Sequence, residues 1–282
     1  MAKNSKFKTE TLTKNESEKI FEQYLNSNGY QEKWAYEPTI PGKSKNPDYM
    51  LNFNNKNHFF EVKELREKLN TPKGAGHTNL YSSLRSEINE ARKQFKEYKK
   101  FSCSLVVYNV DDGQAILAPL FVLSAMLGNL GFSTKFNTAE GTAVKGAGKN
   151  CFLGSGKMID YKKKKPWNTT ISTIIVLEDD FLDDSEYQRA IKEEMENKNR
   201  PLTGIEKFAI AEIESHHSTN VTRVVVVENP FARIAFPDGL FVGPFDERWK
   251  IQNDKIERVF AGDALREIEG LKSSNDKIQF LN

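Results

Sequence analysis

Pro47-Asp48-Tyr49-Met50-Leu51-Asn52-Phe53-Asn54-Asn55-Lys56-Asn57-His58-Phe59-Phe60-Glu61-Val62-Lys63-Glu64 holds two β-prone runs separated by a cluster of asparagines. The pattern predicts strands over 48–53 and 58–64 with a turn at 54–57, since asparagine tolerates the positive φ that a hairpin turn needs. Across a two- or four-residue loop, directly opposed residues have an odd index sum. Asp48 then lies opposite Glu61 or Lys63, depending on register. Side chains alternate with a period of two, so Glu61 and Lys63 share a face. Asp48, Glu61 and Lys63 are therefore expected on one side of the sheet, with Phe59 beside them and with Phe60 and Val62 on the other. Glu64 falls on the opposite face from Glu61.

Two carboxylates and an ammonium on a largely apolar hairpin make a compact polar cluster. Converging carboxylates suit a hard cation such as Mg²⁺, whose octahedron is completed by water and phosphate. An adjacent lysine can hold a water or stabilise charge on phosphorus. Phosphodiester hydrolysis needs a Lewis acid, a hydroxide source and charge neutralisation, which this cluster could combine.

Upstream, a helix is expected from Asn15, with Ile20, Phe21, Tyr24 and Leu25 on one face and Asn28-Gly29 at its end. A short strand follows over 34–37 and a loop over 40–46. Downstream, 65–78 reads as a mobile loop. A long amphipathic helix is expected over 79–100, followed by a buried strand over 104–110. The order is helix, three strands, helix, strand. Further on, a helix is expected at 118–130, core strands at 172–177 and 222–228, helices at 184–197 and 204–215, a strand at 255–260 and a helix at 263–271. The Pro-, Gly- and aromatic-rich stretch 229–250 is expected to be irregular. The fold class is α/β, a mixed central sheet flanked by helices. Residues 1–14 form a mobile polar arm and 15–282 a single elaborated domain, with a core of about 15–110 and an extension of about 111–282.

Pro47-Asp48 followed by Glu61-Val62-Lys63 resembles the signature of the PD-(D/E)xK phosphodiesterase superfamily, the restriction-endonuclease-like fold, whose core has the same order of elements. The resemblance implies that Asp48 and Glu61 are metal ligands, that the Val62 carbonyl is offered as a third, and that Lys63 is the catalytic lysine. It also implies a glutamate on the first helix. Of Glu18 and Glu22, Glu18 lies nearer the edge of the apolar stripe and is preferred. RecB-like members carry a Gln-x-x-x-Tyr motif on the helix after the hairpin, and Gln94-Phe95-Lys96-Glu97-Tyr98 has that spacing. The implied activity is a Mg²⁺-dependent DNA endonuclease (Mn²⁺ substituting), acting on duplex DNA, with restriction or phage defence as its setting and a homodimer as a possible form. Two alternatives stand beside it. One is a nuclease-like module that binds nucleic acid or protein without cutting. The other is a structure-specific or RNA-directed nuclease.

The 282 residues carry a net charge of only +2, so a polyanionic partner does not follow from the total. The distribution says more. Residues 131–168 hold eight lysines against two acids, including Lys162, Lys163, Lys164 and Lys165, while 178–196 holds nine acids against Arg189 and Lys192. Such polarity steers a polyanion to one side, and the four consecutive lysines read either as backbone-binding residues or as a solvated loop. No run is long and apolar enough to span a bilayer, and no secretory leader is visible. Two cysteines without ligand spacing fit a cytoplasmic protein. The Gly-Lys stretches at 146–149 and 154–157 do not fit a phosphate loop. His77 reads as a loop residue, and His216-His217 lack further zinc ligands nearby.

Overall fold

The computed structural model of the chain describes residues 14–66, 81–110, 117–134, 136–138, 142–143, 149–160, 163, 165–183, 189, 193–195, 197–198, 200–201, 203, 219–253 and 255–269. Asn15 starts helix α1 (Glu16–Ser27) with a reciprocal capping box: its side chain accepts from the Glu18 N–H, and Glu18 reaches back to the Asn15 N–H. Gly29, at φ 78°, turns the chain away from the helix end. Strand β1 (Trp34–Tyr36) pairs antiparallel with β2 (Tyr49–Phe53), which pairs antiparallel with β3 (Lys56–Leu65).

The hairpin turn is shorter than the expected 54–57. Asn54 and Asn55 alone form it, at φ 51° and 58°, the left-handed pair of a type I′ turn. Lys56 and Asn57 join the ladder instead, because that turn matches the twist of the strands on either side. The register places Tyr49 against Phe60 and Met50 against Phe59. One step further along it sets Asp48 opposite Glu61, one of the two options the sequence leaves open.

Helix α2 (Ser82–Gln94) ends six residues before the expected 100, and a 3₁₀ turn (Phe95–Glu97) follows. The tighter turn stacks residues three apart, and Phe95 and Tyr98 are both buried there. Strand β4 (Ser102–Asn109) is buried along its whole length and runs parallel to β3. The order over 16–109 is thus helix, three strands, helix, strand.

Helix α3 (Pro119–Leu127) stops before the expected 130, where Gly128 takes φ 136° and the chain enters β5 (Asn129–Ser133). The lysine-rich stretch contributes short strands: β6 (Phe136–Asn137), β7 (Thr142–Ala143), β8 (Lys149–Leu153), β9 (Ile159–Asp160) and β10 (Lys165–Pro166). Strands β11 (Ile171–Asp183) and β12 (Thr219–Glu228) are longer than their β-branched centres suggest. The expected helix at 204–215 and the loop at 67–78 lie outside the described residues, as do His77, His216 and His217. Of the expected helix at 184–197 only scattered residues are described.

The expectation of irregularity over 229–250 is corrected at its end. Glu247–Gln252 is strand β13, parallel to β12 and antiparallel to β14 (Lys255–Ala261). Trp249 drives this pairing by burying its indole in the core. Helix α4 (Asp263–Ile268) follows. The eight-stranded mixed sheet runs β1-β2-β3-β4-β11-β12-β13-β14.

Each face of the sheet carries its own apolar layer. Phe59, Leu105, Val107, Ile174 and Val225 pack with α2 and α3 on one face. Phe60, Val62, Val106, Ile175 and Val224 pack with α1 on the other. The one-residue offset between these sets is the strand period made visible. Phe241 seals the second layer, with the rings of Phe21, Tyr24, Tyr30, Phe60 and Phe236 around it. Beneath it, buried Asp246 accepts from the Tyr24 hydroxyl and from the Val224 and Gly243 N–H groups, tying 229–250 to α1 and β12. Among the described residues no helix is long and apolar enough to cross a membrane.

Candidate active site

Asp48 stands at the entry to β2, just after buried Pro47. Its main chain is fixed by the Glu37 N–H, which donates to the Asp48 carbonyl at 2.7 Å. Its carboxylate Oδ2 accepts from the Val62 N–H at 2.8 Å. Glu61 and Lys63 flank that amide on β3, and both point to the α2 side of the sheet. Lys63 Nζ lies 2.7 Å from Glu61 Oε1 and 3.9 Å from Asp48 Oδ2. The three groups that the alternation rule puts on one face therefore meet.

Burial makes this cluster electrostatically unusual. The Glu61 side chain is 1% exposed, whereas those of Asp48 and Lys63 retain 23% and 29%. Burial, followed by the charge of Glu61, pushes the Asp48 carboxyl up to about 7. The Val62 N–H and Lys63 pull it down without cancelling that rise. Burial by itself would lower the Lys63 ammonium, but Glu61, Asp48 and Glu87 outweigh it and hold it above its ordinary value.

The second layer of the site comes from α2. Gln94 Nε2 donates to Glu61 Oε1 at 3.2 Å. Tyr98, its expected companion, does not reach the carboxylates. Its hydroxyl donates to the Lys45 carbonyl at 2.7 Å and its ring packs edge-on against Phe59. Because Lys45 lies three residues before Asp48, Tyr98 positions the approach to β2. The 3₁₀ turn explains the divergence: beyond Gln94 the chain no longer follows α-helical spacing, and Tyr98 swings towards the loop.

Sequence reasoning missed Glu87. It lies seven residues before Gln94, two helical turns away on the same face of α2, and its carboxyl is raised by burial despite the nearby Lys63. That i, i+7 spacing was the available signal.

Glu18 is placed differently from Gln94. Helix α1 covers the opposite face of the sheet, and Glu18 is occupied there: Oε2 closes the capping box and Oε1 accepts from the Tyr36 hydroxyl at 3.3 Å. Its charge still contributes to the rise of Asp48. Glu22 accepts from the Tyr49 hydroxyl at 2.8 Å and pairs with Lys14, a residue expected in the polar arm.

Of the four consecutive lysines, Lys162 and Lys164 lie outside the described residues. Lys163 is exposed at the turn between β9 and β10, 4.0 Å from Asp160, and Lys165 is exposed in β10. The structure does not bring this pair into contact with the carboxylates.

A cation fits the donor set on one particular observation: the buried Glu61 Oε2 has no hydrogen-bond partner, although Oε1 has two. A buried carboxylate oxygen left unsatisfied is costly. Among the described residues, no group of three or more His, Cys, Asp or Glu side chains stands together as metal ligands. The protein's side-chain contribution would then be Asp48 and Glu61. Comparison with family models, curated proteins and solved structures gives no match to the chain.

Proposed function

We propose that this chain is a divalent-metal-dependent nuclease of the restriction-endonuclease-like kind, hydrolysing phosphodiester bonds of DNA at Asp48, Glu61 and Lys63. The observation that carries the reading is the pairing of buried Glu61 with half-buried Asp48 at one spot, with Glu61 Oε2 unpartnered and the Asp48 carboxyl raised to about 7. Two like charges brought out of water favour a bound cation. The order of elements over 16–109 supports the same reading.

In this account Asp48 and Glu61 hold Mg²⁺ or Mn²⁺. The N–H and C=O of one strand residue face the same neighbouring strand. The Val62 carbonyl therefore faces the side on which its N–H meets Asp48, and serves as a third donor. The cation supplies Lewis-acid polarisation of the scissile phosphate. Lys63 orients the attacking water and offsets charge developing on the phosphoryl oxygens. Gln94 fixes the Glu61 rotamer through Oε1, and Tyr98 fixes the loop that delivers Asp48. Glu18 acts only through its charge unless its cap opens.

The test uses supercoiled plasmid and single-stranded circular DNA with Mg²⁺, with EDTA as the blank. The parent is expected to cut at least one of them. Asp48→Ala and Lys63→Ala are each expected to lose about a hundredfold or more in rate, the scale of losing one preorganised charge-stabilising group. Variants that cut like the parent would remove the assignment. A folded parent that binds but cuts neither substrate would favour the non-cutting alternative.

A further inference from the structure

The site described above does not use the basic groove beside the C-terminal end of α2. A cavity of about 710 Å³ is lined by Lys45, Arg92, Lys93, Lys96, Lys99 and Arg233, and by no acidic residue. Among the described residues, Lys93 alone of these six makes an ion pair, with Glu90 at 2.6 Å. Arg92 Nε is shielded from water with no acceptor. Five cations outside any ion pair among the described residues, around one concavity, are an electrostatic match for a run of phosphates.

The groove also contains an aromatic. Trp167 lines it and is 46% exposed, uncommon for so large an apolar side chain. Its backbone is held: the Trp167 N–H donates to the Met158 carbonyl at 2.7 Å, and the buried Asn168 beside it donates through Nδ2 to the Lys157 carbonyl at 2.6 Å. A second cavity, of about 520 Å³, shares Arg92, Lys93 and Trp167, so the indole stands between two concavities.

The groove and the carboxylates share α2: Gln94, which donates to Glu61, directly follows Arg92 and Lys93 of the groove lining, and Lys45 of that lining precedes Asp48 by three residues. Phosphates seated in the groove would lead towards Asp48 and Glu61.

A stacked duplex presents phosphates but covers its base faces. An exposed indole among cations gains from stacking only when a base is unstacked. We infer that this groove takes a single-stranded segment of the nucleic acid cut at the neighbouring site, with phosphates on Lys45, Arg92, Lys96, Lys99 and Arg233 and one base on Trp167. The inference rests on the nuclease reading and narrows its substrate to one with single-stranded character.

The test is fluorescence anisotropy in EDTA, so that binding is read without cleavage. The probes are labelled oligothymidylate and oligouridylate of about 15 nucleotides, within the usual span of such sites, and a blunt duplex of equal length. The parent is expected to bind single strands about tenfold or more tighter than the duplex. Trp167→Ala should weaken single-strand binding about tenfold, the scale of one base–aromatic stack, and leave duplex binding unchanged. Trp167→Phe should restore most of the loss, which a merely structural role would not predict. Lys96→Ala with Lys99→Ala should flatten the salt slope by roughly 1.4, the share of two phosphates on a single strand. Oligodeoxyuridylate, which shares its base with oligouridylate and differs only at the 2′ position, shows by comparison with it whether the strand is DNA or RNA. Parental single-strand binding by Trp167→Ala, a preference for the duplex, or no binding by the parent would overturn the inference. Cleavage by the parent with normal binding by Trp167→Ala sinks the groove and spares the nuclease. Loss of binding in Trp167→Ala with no cleavage by the parent does the reverse.

Discussion

The Val62 main-chain N–H donates to the Asp48 carboxylate across the β2–β3 junction at 2.8 Å. This bond sets the geometry of the whole site. Val62 lies between Glu61 and Lys63, so fixing Asp48 to its amide places one carboxylate beside the other and beside the ammonium. A side chain here replaces a ladder hydrogen bond, and the site occupies the point where β2 has not yet begun.

The pH dependence of stability follows from Asp48. Its folded value of about 7 lies above an ordinary aspartate's, so between roughly pH 4 and 7 the folded protein binds a proton that the unfolded chain does not. Metal-free protein should therefore lose stability as pH rises through that window and level off above it. Asp48→Asn keeps an acceptor for Val62 and removes the charge. It should flatten the slope and leave the variant more stable than the parent at pH 8 while abolishing cleavage. Urea midpoints in EDTA across pH 4–8 check this.

The hairpin turn yields a stability prediction. Asn55 sits at φ 58°, where glycine is less strained than asparagine. Asn55→Gly should stabilise by about 0.5 kcal/mol, and Asn55→Val should destabilise by about 1 kcal/mol or more. Because the turn sets the register that opposes Asp48 to Glu61, the valine variant should also lose cleavage in proportion to its loss of folding. Thermal melts beside plasmid cleavage separate these effects.

Gln94 and Tyr98 should separate under mutation. Gln94→Ala removes the donor to Glu61 Oε1 at 3.2 Å and is expected to lower the cleavage rate about tenfold with little change in stability. Tyr98→Phe removes the hydroxyl bond to the Lys45 carbonyl and should cost about 1 kcal/mol, with a weaker apparent Mg²⁺ affinity and a smaller effect on the maximal rate. Metal titrations of cleavage for both variants, beside urea curves, test the distinction.

Phe241 holds the second core layer together. Phe241→Ala should cost about 3–5 kcal/mol, the range for deleting a buried aromatic ring, and five neighbouring rings would line the void. The urea midpoint reads this directly.

The hairpin was legible in the sequence because strand parity is a local rule. The asparagine cluster over 54–57 places the turn, either loop length keeps the index sum odd, and the period of two then puts Asp48, Glu61 and Lys63 on one face, while the choice of Glu61 over Lys63 opposite Asp48 needed the two-residue turn that the structure shows. Asn15 announced the helix start for the same reason. What escaped depends on partners distant in sequence. The ends of β11 and β12 are polar, and only their mutual pairing makes them strands. β13 lies in a stretch dense with proline and glycine and is a strand because Trp249 finds the core. The capping role of Glu18 lies in its three-residue spacing from Asn15, and it holds the carboxylate at the helix start rather than over the sheet. Arg92 stands on α2, Lys96 in the 3₁₀ turn and Lys99 beyond it. Their meeting with Lys45, Trp167 and Arg233 around one cavity depends on the change of helix type after Gln94 and on distant segments, which no local spacing announces.

The most direct test of the central claim is anomalous diffraction from crystals soaked in Mn²⁺. The account predicts a manganese peak between Asp48 and Glu61, roughly 2 Å from an oxygen of each, with Glu61 Oε2 among its ligands. A fully ordered hairpin without such a peak, or manganese bound only elsewhere on the chain, would contradict it.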